Sequence, residues 1–248
     1  MIGKVERYLK DKISEQGCIH FTLLDPDKSS GYDCAEIAKE AEKGGTTAIM
    51  IGGSTLASSQ DLDDAVQRIK KDVKVPVILF PNGPIGVSKH ADAIWFMSLL
   101  NSQTSYYIID AQMLSAPLIK RYGLEAIPMG YVICGEGCVA GYVGHARPIS
   151  YKYPKLAVGY SLAAETLGMR FVYLEAGSGA SEPIPPEMIA AVKHYVRIPV
   201  ITGGGIRDPK AALAAKNAGA DAIVTGNMVE EESLVGEKIS EIVSAMRD

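Results

Sequence analysis

Val200-Ile201-Thr202-Gly203-Gly204-Gly205-Ile206-Arg207-Asp208 is a short apolar run that breaks into three glycines and then turns polar. One helix-length later the pattern recurs as Asp221-Ala222-Ile223-Val224-Thr225-Gly226-Asn227. A strand-to-helix turn without side chains leaves backbone N–H groups facing outward, at the positive end of the following helix, where an anion binds. In a (β/α)8 barrel the loops after strands 7 and 8 are the usual place for a phosphate. The two turns therefore predict a fold, a phosphorylated ligand and its location.

The rest of the chain fits that prediction. Apolar runs at 18–24, 47–51, 75–80, 93–97, 127–133, 171–174, 198–202 and 222–225 give eight strand candidates. Most are continuous rather than alternating, the mark of strands buried on both faces in a parallel sheet. Helical patterns follow at 34–43, 62–71, 105–121, 154–168, 186–196, 209–218 and 231–246. Several open on proline, which suits a first helical turn, and Gly45, Gly123, Gly168 and Gly219 sit where a left-handed cap ends a helix. The 248 residues match the length of one barrel of this kind, so residues 1–248 are expected to form a single α/β domain, a (β/α)8 TIM barrel.

Two crossovers depart from the pattern. Residues 81–92 are too few, and too rich in proline and glycine at their start, for a full helix. The third helix is predicted to be missing or replaced by an irregular segment, leaving a gap that an apolar ligand could use, lined by Trp95, Phe96 and Tyr107, although those aromatics also suit ordinary packing. After strand 5, residues 134–153 form a long glycine-rich loop, expected to be a mobile lid over the barrel mouth or else an oligomer contact.

Composition narrows the class. A net charge of −4 gives none of the basic footprint of a nucleic-acid binder. The four cysteines show no metal or CxxC spacing and read as buried, reduced thiols. The first twelve residues are charged and amphipathic, unlike a signal peptide, and no apolar run is long enough for a transmembrane segment, so a cytoplasmic location is expected.

Strand ends at the barrel mouth hold the candidates for chemistry. Asp25, after strand 1, is a hard oxygen donor suited to Mg²⁺, or a turn-capping residue before Pro26. Ser54, after Gly52-Gly53, could touch a metal or phosphate oxygen, or cap the next helix. Strand 6 ends Tyr173-Leu174-Glu175-Ala176-Gly177-Ser178-Gly179, where Glu175 is the strong base candidate, unless it pairs with Arg207. Strands 4 to 7 carry no lysine for Schiff-base chemistry, the four histidines have no zinc spacing, and no Gly-x-Ser-x-Gly elbow occurs. Asp61-Leu62-Asp63-Asp64 is a helix start, not a repeated diphosphate motif. A phosphosugar isomerase and a non-catalytic phosphate binder remain open on these residues alone. The first would leave Asp25 with Ser54 unused, the second Glu175.

Phe21-Thr22-Leu23-Leu24-Asp25-Pro26-Asp27-Lys28, Gly52-Gly53-Ser54-Thr55, Phe80-Pro81-Asn82-Gly83, Tyr173 to Gly179, Gly203-Gly204-Gly205-Ile206 and Thr225-Gly226-Asn227 together resemble the geranylgeranylglyceryl phosphate synthase family. The resemblance runs over nearly the whole chain with its motifs in order. It implies a modified barrel and a prenyl transfer from geranylgeranyl diphosphate to the C3 hydroxyl of sn-glycerol 1-phosphate, the first ether bond of archaeal membrane lipids, with Mg²⁺. It places the metal at Asp25 and Ser54. It places the glycerol phosphate at Tyr173, Leu174, Glu175, Ala176, Gly177, Ser178, Gly179, Gly204, Gly205, Gly226 and Asn227, with Glu175 as catalytic base. It also implies a homo-oligomer, dimer or hexamer, which Tyr142, Tyr151 and Tyr153 could serve if exposed. A lipid product makes transient membrane contact an expectation as well.

Overall fold

The structure is a computed structural model that describes residues 2–28, 31–55, 58–226 and 234–247. Eight parallel strands close on themselves in chain order: β1 (Ile19–Leu24), β2 (Ala48–Ile51), β3 (Val77–Leu79), β4 (Ala93–Leu99), β5 (Glu125–Ile133), β6 (Phe171–Glu175), β7 (Val200–Gly203) and β8 (Ala222–Thr225). The ring is sealed by β1 against β8, with Phe21 beside Val224 and Thr22 beside Thr225. The helices are α1 (Lys4–Gln16), α2 (Gly31–Lys43), α3 (Ser59–Asp72), α4 (Ala111–Tyr122), α5 (Cys138–Val143), α6 (Pro154–Thr166), α7 (Pro186–Tyr195), α8 (Pro209–Asn217) and α9 (Val235–Ala245).

Each continuous apolar run feeds two cores, because successive side chains point to opposite faces. Phe21, Met50, Ile78, Trp95, Met129, Phe171 and Ile201 fill the barrel interior. Their neighbours Ile49, Ile51, Val77, Leu79, Val172 and Ile223 face outward and pack under the helices, against residues such as Leu62, Ile69, Ile189 and Ile239. Strand burial on both sides is what the unbroken runs required.

The amphipathic start of the chain is α1, which closes the N-terminal end of the barrel. Val5 and Leu9 join the interior core. Its free amides are capped from another element: the Glu125 carboxylate accepts from Val5 N at 2.9 Å and Glu6 N at 2.8 Å. Glu6 is fully buried and pairs with Arg170 at 2.7 Å and Lys10 at 2.9 Å.

Between β3 and β4 there is only a single 3-10 turn, Pro84–Gly86, as the short crossover predicts. The outward face of β4 at Ile94 and Phe96 therefore lacks the helix that would cover it. Residues 105–121 are not one regular helix. A π-helical turn, Tyr106–Asp110, leads into α4, and this wider turn carries Tyr107 toward the uncovered strand.

The segment after β5 is not the loose lid expected. Its glycines make specific turns, Gly135 at φ 64° and Gly137 at φ 73°, and α5 forms between them and Gly144. Beyond α5 the chain is tied back to the barrel. Gly135 N donates to Ile149 O at 2.8 Å, and Asn101 Nδ2 donates to both Ile133 O and Arg147 O. The result is a strap fixed at both ends across the mouth. Of the helix expected at 231–246, the structure shows Val235–Ala245, and residues 231–233 lie outside the described residues.

Candidate active site

Strand alternation decides which residues of the β6 end reach the mouth. Phe171, Tyr173 and Glu175 point into the barrel, whereas Val172, Leu174 and Ala176 bury in the outer layer. The side chains of Leu174 and Ala176, two of the expected glycerol-phosphate positions, thus face away from the mouth. Their side chains support the strand, and the Ala176 amide is already bonded to Gly203 O at 3.0 Å.

Glu175 is almost completely buried, with 5% of its surface exposed. Its Oε1 accepts from Gly177 N at 2.7 Å and its Oε2 from the Tyr131 hydroxyl at 3.0 Å. The Tyr173 hydroxyl donates to the same carboxylate. Burial raises the Glu175 pKa above the ordinary carboxylate value, while the bonds from Gly177, Tyr131 and Tyr173 pull it back toward the charged form. Burial, and then the nearby carboxylate, hold both tyrosines well above their usual pKa. Arg207 does not pair with Glu175. Its guanidinium donates to Ala180 O at 3.1 Å on the cavity wall.

The glycine turns close around this carboxylate. Gly204 and Gly205 take φ +81° and +73°, a region costly for other residues. A Cβ on Gly204 would stand 2.7 Å from Glu175 Oε1, so the turn passes directly over the carboxylate only because the side chain is missing. Gly226, after the end of β8, packs beside Leu23, where a Cβ would stand 3.6 Å from Leu23 O, and lines the same cavity as Ser178 and Gly179. Asn227 lies outside the described residues.

Asp25 and Ser54 stand on the opposite rim of the same cavity. Asp25 takes the turn-residue role and also lines the cavity. Its Oδ1 accepts from Asp27 N at 3.1 Å, as a turn residue does, while the carboxylate faces the cavity with Lys28 Nζ at 3.9 Å. Gly53 makes room for it, since a Cβ there would lie 2.4 Å from Asp25 Oδ1. Among the described residues no three His, Cys, Asp or Glu side chains form a metal cage. One carboxylate with one hydroxyl suits a cation such as Mg²⁺ that completes its shell with water and substrate oxygens. Lys28, read from sequence as a loop residue, lines this cavity too.

A second, largely apolar cavity opens where the third helix is missing. Ile94 and Phe96, the outward residues of β4, form its wall together with Met97, Tyr107, Ile119 and Val143. Phe96 and Tyr107 line it as expected. Trp95 does not: it sits in the barrel interior between Phe21 and Phe171, with ring centroids 6.2 and 5.1 Å away. Gly53, Ser54, Phe80, Tyr131 and Ala140 line both cavities, so the apolar groove runs into the polar one. Sequence reading missed Tyr131. Its one signal was an inward register at the C-terminal part of β5. All four cysteines are reduced, with Cys18, Cys34 and Cys134 buried.

A closed eightfold barrel with a buried carboxylate and glycine turns at its C-terminal mouth defines a (β/α)8-barrel enzyme. The PcrB family model matches residues 10–246, and the chain belongs to that family. The geranylgeranylglyceryl phosphate synthase of Thermofilum pendens is 49% identical over 248 residues, spanning 100% of this chain and 97% of that protein. The one of Thermococcus kodakarensis is 51% identical over 244 residues, spanning 97% and 96%. Among solved structures, (S)-3-O-geranylgeranylglyceryl phosphate synthase from Thermoplasma acidophilum in complex with its substrate sn-glycerol-1-phosphate matches with a TM-score of 0.95 at 41% identity. That match covers 100% of this chain and 99% of the other.

Proposed function

We propose that this chain transfers the prenyl group of geranylgeranyl diphosphate to the C3 hydroxyl of sn-glycerol 1-phosphate and releases diphosphate, with Mg²⁺ as cofactor. The observation that carries the reading is the continuity of the two cavities. A polar cavity with Glu175, Gly204, Gly205 and Gly226 on one side and Asp25 with Ser54 on the other opens into an apolar groove through Phe80 and Tyr131. Neither a phosphosugar isomerase nor an inert phosphate binder has use for that groove.

The glycine turns would bind the acceptor phosphate through backbone N–H groups. Glu175 would receive the C3 hydroxyl as a hydrogen-bond donor. As the hydroxyl oxygen bonds to C1 of the prenyl chain, the C1–O bond to the diphosphate breaks, the electron pair leaves with the diphosphate, and the hydroxyl proton passes to a carboxylate oxygen of Glu175. Held by Asp25 and Ser54, Mg²⁺ would neutralise charge on the departing diphosphate. A base in this role contributes about 10²–10⁴-fold. The groove supplies binding for the tail at about 0.8 kcal/mol per buried CH₂.

We further read the protein as a cytoplasmic homo-oligomer, a dimer or hexamer, that meets a membrane surface on release of product. Apolar side chains left exposed on and beside α4, Ile109, Met113 and Leu114, support assembly, as do Tyr142 and Tyr153 near the strap. Tyr151 does not contribute, being half-buried. No helix among the described residues is long and apolar enough to cross a membrane. The deciding experiment mixes the protein with labelled geranylgeranyl diphosphate, sn-glycerol 1-phosphate and Mg²⁺. An ether-linked lipid phosphate is expected. Absence of product with this donor and with shorter and longer prenyl diphosphates overturns the reading.

A further inference from the structure

Tyr131 belongs to both cavities and holds Glu175. It points inward from β5, with 7% of its surface exposed. Its ring is fixed by two edge-on contacts, with Phe80 at 5.5 Å and Tyr173 at 5.3 Å between centroids. Its hydroxyl is thereby aimed at Glu175 Oε2, 3.0 Å away. The other oxygen is held by the Gly177 amide, a bond that no side-chain change removes. The carboxylate is thus gripped at both ends, by the backbone at Oε1 and at Oε2 by a residue whose ring forms wall of the apolar groove, with the Tyr173 hydroxyl as a further donor.

We infer that Tyr131 is a positioning residue: its hydroxyl sets the orientation and basicity of Glu175 at the point where the apolar groove meets the polar cavity. This rests on the reading of Glu175 as the base. A carboxylate oxygen held by a neutral donor keeps its remaining lone pairs in a fixed direction, so a bound hydroxyl meets them aligned. The same bond favours the charged, proton-accepting form. The other groups around Glu175 are Tyr173 on β6, the thiols of Cys134 on β5 and Cys138 on α5, and the charged Asp25, Lys28 and Arg207 lining the same cavity. A Tyr131 substitution leaves all of these in place.

Tyr131→Phe keeps the ring and its contacts and deletes only the hydroxyl. The expected result is a fall in kcat of about tenfold, corresponding to one hydrogen bond to a charged group. KM for both substrates stays within about twofold, since ring and groove wall are retained. The acid limb of the kcat–pH profile moves to higher pH, because the lost bond stabilised the carboxylate. Tyr131→Leu, which also removes the groove wall, adds a rise in KM for the prenyl donor. A melting curve for each variant confirms folding. Wild-type kcat with an unmoved acid limb in folded Tyr131→Phe overturns the inference, as does a loss that appears only in KM. Glu175→Gln is assayed beside them. Full turnover there overturns the base reading and this inference together. Loss of turnover there with an unaffected Tyr131→Phe overturns this inference alone.

Discussion

The two ends of the barrel use carboxylates in opposite ways. At the N-terminal end Glu6, Glu125 and Asp221 are consumed by structure. Glu6 is paired with Arg170 and Lys10, Glu125 caps α1, and Asp221 holds Lys193 at 2.6 Å and the Val200 amide at 2.7 Å. At the C-terminal end Glu175 is also buried but faces neutral donors and a cavity, and among the described residues its hydrogen bonds come from hydroxyls and an amide rather than from a cation. A buried carboxylate matched by cations fixes one arrangement. One matched by hydroxyls and an amide keeps its charge available for a proton. The difference separates stability from chemistry within one fold.

Exchanging the ends tests this. Glu175→Gln should reduce kcat by about 10²–10⁴-fold while the melting transition and acceptor binding persist. A variant with near-normal turnover would break the contrast at its main point. Glu6→Ala should act the other way, lowering unfolding free energy by about 3 kcal/mol in denaturant titration, because Arg170 and Lys10 lose their buried partner. Turnover at low temperature should persist. If Glu6→Ala instead lost activity without loss of stability, the N-terminal end would have to be counted as functional.

The barrel wall between the ends gives a pH test. His20 is fully buried, with its ring nitrogens 3.0 Å from Thr46 Oγ1 and 2.9 Å from Thr225 Oγ1. Burial pushes its pKa from 6.5 down to about 3, so the folded form is neutral and the unfolded chain takes up the proton first as pH falls. The contribution of His20 is complete above pH 6.5 and is lost progressively toward pH 3, by up to about 1.4 kcal/mol per pH unit. His20→Asn should flatten unfolding free energy between pH 6.5 and 5, and an unchanged slope would remove His20 from acid unfolding. The smallest effect is expected at Asp25→Asn, which should raise the Mg²⁺ concentration needed for half-maximal rate with little change in stability. An unaltered Mg²⁺ titration would take Asp25 out of the metal role.

The two irregular crossovers show how far residue patterns carry. Both are rich in glycine and proline. In 81–92 shortness alone ruled out a helix, and the groove follows from it. In 134–153 glycine content was read as mobility, yet Asn101 and Ile149, distant in sequence or across a turn, tie the segment down. Turn composition does not reveal whether a partner elsewhere will hold the turn. The same limit explains Tyr131, Trp95 and Arg207. Each needed the register of a strand or the direction of a side chain, which neighbouring strands fix.

By itself the sequence determined the parallel barrel, through eight runs apolar enough for burial on both faces, and the glycines without which the turns over Glu175 could not pass. It also placed Asp25, Ser54 and Glu175 at strand ends. Only the tertiary structure decided that Leu174 and Ala176 face away from the mouth, that Trp95 fills the interior, and that Tyr131 joins the two cavities. Side-chain direction in a barrel is set by pairing between strands far apart in the chain, and no local pattern contains that information.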